Sequence, residues 1–184
     1  MSSLTLIRWG GLAAVVAGLL FIIVTLINLL NLIIEQGPSV LLVSTTQLGG
    51  ALLLFGLVGL YFRWSEAIGI AGLIGFVFAF FGAALALGGS VWANLVSVLG
   101  WALLGIACLQ ARVYPGVAAM LLLIGTLLTA IFFSAVMLGG APVGILAYMG
   151  IVATIIFYMA VVWLGFSLFT GSSEEALEQT PHAR

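Results

Sequence analysis

The sequence predicts an all-α membrane protein, a polytopic bundle of six transmembrane helices. Three observations carry that reading. Only 5% of the 184 residues are charged, against about 25% in a soluble domain, so a chain of this length cannot clothe its surface for water. Long runs are apolar on every side, whereas the strands of a membrane barrel would alternate apolar and polar residues. The four basic residues, all arginine, fall so that six spans place every one of them on the same side.

A helix needs about 20 apolar residues to cross the hydrocarbon core, and six segments supply them, near 8–34, 40–62, 67–87, 91–111, 115–138 and 143–169. The first follows "MSSLTLIRWGG" and stays apolar well beyond the ~7–15 residues of a signal-peptide core, with no small-residue cleavage site. It reads as a membrane helix. The breaks fall at "EQGPS", "RWSEA", "GGS", "RVYP" and "GGAPVG", where Gly and Pro mark turns. Residues 1–170 make one transmembrane domain. Residues 171–184, "GSSEEALEQTPHAR", read as a short polar cytoplasmic tail that opens with Gly171 as a helix stop.

With six spans Arg8, Arg63, Arg112 and Arg184 share one face. Basic loops stay cytoplasmic, so both termini are expected inside a cell (inner) membrane crossed in multi-pass fashion. Trp9, Tyr61, Trp64 and Tyr114 then lie at the inner interface and Trp92 at the outer one. The odd spans start alike, with "RWGG", "RWSE" and "RVYP", and 79–89 "AFFGAALALGG" aligns with 130–140 "AIFFSAVMLGG". These likenesses point to a two-helix hairpin used three times, in parallel, at a period of about 50 residues.

Lipid tails are as apolar as leucine, so helices in a bilayer associate through close backbone packing at small residues. Gly10, Ala14 and Gly18 make such a ridge on the first span, and Gly72, Gly75, Ala79 and Gly82 make one on the third. Internal packing is their first use. A homo-oligomer or a membrane partner protein is their second.

Polar residues gather near the extracytoplasmic ends. Thr25, Asn28, Asn31 and Glu35 interrupt the first span, Ser44 and Gln47 open the second, and Asn94 and Ser97 open the fourth. One reading makes them a shallow outward vestibule. The plainer reading makes them the wet ends of long helices, because a first span of about 40 Å overruns a ~30 Å core. Asn28 is expected to face other helices and Glu35 to face water.

No paired carboxylates, no His or Cys cluster at metal spacing and no nucleophile beside a base occur in the spans, so no catalytic residue, metal or cofactor is expected. The near-neutral charge excludes a nucleic-acid surface. Cys108 is the single cysteine and reads as a small buried packing residue. The opening "RWGGLAAVVAGLLF", the central "LLLFGLVGLYFRWSEAIGIAGLIGF" and the short acidic tail resemble small six-span bacterial integral membrane proteins of unassigned function. That resemblance implies a bacterial cell membrane and brings no catalytic or ligand motif. The expected function is a non-enzymatic scaffold or partner subunit in the lipid bilayer. The alternative is a small transporter or channel for a neutral or apolar solute.

Overall fold

The computed structural model describes residues 3–34, 40–88, 92–112, 116–137 and 143–178. The regular structure among them is entirely helical: α1 (Ser3–Ile33), α2 (Val40–Leu87), α3 (Ala93–Ala111), α4 (Gly116–Met137) and α5 (Val143–Glu178). Four of these, α1, α2, α3 and α5, hold segments long and apolar enough to cross a membrane, and α4 carries a shorter apolar stretch, Gly116–Phe132. In the most apolar stretch of each of these four helices, at most 39% of the residues are buried within the protein. Helices that are apolar all round yet mostly uncovered need an apolar solvent, so the chain is a membrane protein that meets the bilayer along exposed residues such as Leu19, Ile70, Phe81 and Phe166.

The count differs from the six separate helices expected. No helix ends at "RWSEA", because Arg63, Ser65 and Glu66 disturb a helix too little to break its hydrogen bonds. The break comes later, at Gly69, with φ 57° and ψ −153°. Only glycine reaches that conformation without strain. Its effect is a reversal of the chain. Tyr61 and Phe76 would lie about 22 Å apart on a straight helix, yet their rings stack at 4.5 Å. Gly50 likewise lies against the Leu87 side chain. Both pairs are centred on Ile68 and Gly69, so α2 is two antiparallel arms, 40–68 and 70–87.

The arms close a ring in chain order. α1 packs on the first arm of α2 and on α5, the second arm packs on α3, α3 on α4, and α4 on α5. The small-residue ridges sit in these seams. Gly10 faces the Gly59 backbone, Ala14 fits between Gly56 and Gly165, and Gly18 meets Val162 and the Tyr158 carbonyl. Gly75 faces the Leu104 backbone, Gly82 faces Ser97, and Ala79 lies against Gly100. Gly72 is buried too, with the Ile68 side chain just across the reversal as its nearest neighbour.

The threefold hairpin repeat is not supported. With α2 taken as its two arms, helices begin at Ser3, Val40, Ile70, Ala93, Gly116 and Val143, so successive two-helix units would start 67 and then 46 residues apart (70 − 3 and 116 − 70), with no common period. Positions equated by "RWGG" and "RWSE" have opposite surroundings: Trp9 is 54% exposed and Trp64 is 8% exposed. Trp64 belongs to the core and Tyr61 packs against it, whereas Trp9 and Trp92 are exposed. Tyr114 lies outside the described residues. Gly171 does not stop α5, which runs on to Glu178. Its φ is not positive, and a Cβ there would touch nothing. The helix therefore continues past Gly171.

Candidate functional site

The contacts that close the ring also sort its two ends. Gly59 packs on Gly10, so Arg63 and Arg8 share an end with the Gly69 reversal. Leu104 packs on Gly75, six residues past Gly69, and Arg112 caps α3 beyond it. This is the basic end. There Arg8 also stands over the Phe169 ring at 5.0 Å. The half of the bundle next to it is filled by leucine: Leu57, Leu104, Leu122, Leu164 and Leu168 are all at most 2% exposed.

Towards the other end the packing opens. A cavity of about 280 Å³ lies between α1, both arms of α2, α3 and α5. Gln47, Asn94 and Ser97 line it together with Thr46, and small residues of α2 such as Gly50, Ala83 and Ala86 form part of its wall. Phe21, Trp101 and Tyr158 line it as well. Trp101 and Tyr158 lie near the middle of their helices, so the cavity reaches about half the depth of the bundle. A second chamber of about 110 Å³ adjoins it, sharing Asn94, Ser97, Trp101 and Tyr158 and adding Thr126, Thr129, Val98 and Phe157.

The aromatic residues are locked together. Phe21 and Tyr158 stack at 4.4 Å, Trp101 meets Phe157 edge-on at 5.1 Å, and Phe157 meets Tyr158 edge-on at 5.1 Å. Offset and edge contacts of this kind hold rings in place beyond simple burial. They lie between the polar part of the cavity and the buried leucines nearer the basic end.

The threonines around the cavity bond backwards. Thr46 donates to the Leu42 carbonyl at 2.8 Å, Thr126 to the Leu122 carbonyl at 2.7 Å and Thr129 to the Gly125 carbonyl at 2.8 Å. A carbonyl only accepts, so each hydroxyl hydrogen is committed and each oxygen keeps acceptor capacity. Among the described residues, Gln47, Asn94, Ser97 and Tyr158 make no side-chain hydrogen bond.

Of the residues grouped from the sequence, then, Gln47, Asn94 and Ser97 come together. The others do not join them. Thr25 is buried and donates to the Phe21 carbonyl at 2.7 Å, while Asn28 and Ser44 are exposed and Asn31 is half-buried. Asn28 therefore does not face the other helices as expected. Three-residue steps turn a helix by about 300°, so the stripe drifts about 60° per step and winds off the inner face that Thr25 occupies. Glu35 lies outside the described residues. Phe21, Trp101, Thr126, Thr129 and Tyr158 were not singled out from the sequence, since single aromatics and threonines in apolar helices give no local signal. Among the described residues, His, Cys, Asp and Glu side chains form no group of three that could hold a metal ion. Cys108 is buried in the core. No protein-family model, curated protein or solved structure matches the chain.

Proposed function

We propose that this chain is a six-pass membrane protein that takes a small neutral solute into a one-ended cavity from the extracytoplasmic side, as a carrier or solute-binding subunit. The two arms of α2 and helix α4 supply the passes beyond those evident from length and composition. A straight helix of 48 residues would span about 72 Å, more than twice the ~30 Å core, whereas two arms joined at Gly69 suit two crossings. Arg8, Arg63 and Arg112 at one end support a cytoplasmic basic end by the positive-inside rule. The cavity then faces outward.

The observation that carries the reading is the cavity itself, which runs from the Gln47 and Asn94 amides near the helix ends down to Trp101 and Tyr158 at mid-depth and has no charged side chain in its lining. An uncharged pocket suits an uncharged solute, because a dry charge without a counter-charge is costly. No catalytic step is part of the reading. The test is thiol labelling in a Cys108→Ala background. Gln47→Cys and Asn94→Cys should react with a membrane-impermeant reagent from outside, and Leu57→Cys should react from neither side. Labelling of Gln47→Cys only from the cytoplasmic side would overturn the orientation, and no labelling would overturn the open cavity.

A scaffold or partner-subunit role is the second reading. The glycine ridges lend it little, since they are occupied by seams within the bundle. An apolar groove of about 550 Å³ on the outer face of α1 and α5, lined by Leu19, Ile22, Met159, Val162, Trp163 and Phe166, favours it. Cross-linking from Met159→Cys to a second membrane protein or a second copy would raise this reading above the first.

A further inference from the structure

We infer that the cavity selects a compact, planar aromatic molecule carrying one N–H or O–H donor, of the indole or phenol class. The inference rests on the solute-binding reading above and adds size, shape and hydrogen-bonding sense to it.

Size comes first. A dry cavity of about 150 Å³ is known to accept benzene. A chamber of about 280 Å³ therefore suits a single substituted ring or a fused pair of rings. The adjoining chamber of about 110 Å³ is too small for the ring and suits a polar substituent or a few waters, each of which occupies about 30 Å³.

Shape follows from the lining. α2 offers Gly50, Ala83 and Ala86, which project little into the space, so a flat body can lie along it. Phe21, Trp101 and Tyr158 place aromatic rings at the inner end. Aromatic guests gain from offset or edge-on contact with such rings beyond the area they bury.

Hydrogen-bonding sense is set by the threonines. Thr126 and Thr129 line the small chamber with their hydroxyl hydrogens already committed to helix carbonyls, and Thr46 does the same in the large one. They present acceptors alone. Asn94, Ser97 and Tyr158, shared by both chambers, can accept as well as donate. Thr126 and Thr129 are thus places where a guest can only donate, and a guest without a donor gains nothing from them. A guest with a donor satisfies them.

Equilibrium dialysis with the full-length protein in lipid nanodiscs tests this, with protein-free nanodiscs correcting for partition into lipid. Indole should bind saturably, and 1-methylindole, which keeps the rings and loses the donor, should bind roughly tenfold more weakly, about the worth of one hydrogen bond. Thr129→Val should weaken indole several-fold and leave 1-methylindole unchanged. Thr126→Val gives the same comparison if Thr129→Val does not fold. Equal binding of indole and 1-methylindole, or equal weakening of both by Thr129→Val, would overturn donor selection. Saturable binding of cyclohexanol without indole would overturn the aromatic class while the cavity reading stands. Loss of the cavity reading itself would show separately, as failure of Gln47→Cys to label from outside.

Discussion

The two halves of this bundle are built from the same helices and differ in what fills them. Near the basic end, Leu57, Leu104, Leu122, Leu164 and Leu168 close the centre. Near the amide end, the same helices leave about 280 Å³ open among Gln47, Asn94 and Ser97. The seams are tight in both halves, since Gly10 meets Gly59 near the basic end and Gly82 meets Ser97 near the amide end. The cavity is therefore not a result of loose helix packing. It is a place where α2 brings glycine and alanine inward and no large side chain from elsewhere fills the space. In a bilayer this costs little stability, because close backbone contact and not hydrophobic burial holds the helices together.

That contrast is open to attack, and the largest effect should come from the filled half. Leu104→Ala should destabilise by about 2–5 kcal/mol, the range for emptying a close-packed leucine site. Reversible unfolding in mixed micelles measures it. A loss below about 1 kcal/mol would mean the basic half is as loosely filled as the other.

Next come the seams, which should respond alike in both halves. Gly75→Leu and Gly82→Leu each drive a side chain into the backbone of α3, of which Leu104 and Ser97 are part. Overpacking of this kind costs about 1–3 kcal/mol. If Gly82→Leu unfolds like wild type while Gly75→Leu does not, the seam at the amide end is open and the cavity is part of a wider gap.

The reversal should register at a comparable or slightly smaller level. Gly69→Ala meets no neighbour, yet it must hold a positive φ, at about 1–3 kcal/mol of backbone strain. Gly171→Ala, in open helix at the far end of the chain, should be neutral or slightly stabilising. Equal melting of the two variants would argue against a reversal at Gly69.

The smallest stability change belongs to the cavity wall. Asn94→Leu should shift stability by less than about 0.5 kcal/mol, as exposed substitutions do, and should lower solute binding. A loss comparable to Leu104→Ala would show that Asn94 holds the fold together and would erase the difference between the halves.

Much of this molecule was legible in its sequence. Composition settled the solvent, because so few charges cannot cover a water-soluble surface. Length and apolar runs placed α3, α4 and α5 to within a few residues at their starts. The small ridges through Gly10, Ala14, Gly75 and Gly82 marked the seams, since only small residues let backbones approach. Asn94, Ser97 and Gln47 stood out because polar residues are few against an apolar background, and all three line the cavity.

The rest was decided by the tertiary structure, for reasons of geometry. A reversal at Gly69 is one glycine among 24, and nothing local separates a glycine at φ 57° from one packed in a seam. "RW" at 8 and 63 looks repeated, but burial depends on neighbours from other helices, which leave Trp9 out and enclose Trp64. Thr25 and Asn28 share a stripe on paper, yet the drift of three-residue steps carries Asn28 out of the interior. Trp101 and Tyr158 acquire a role only where α1, α3 and α5 bring them against Phe21 and Phe157. Periodicity along one helix fixes which way its own side chains point. Which of those directions meets a cavity, a seam or lipid is set by where the other helices stand.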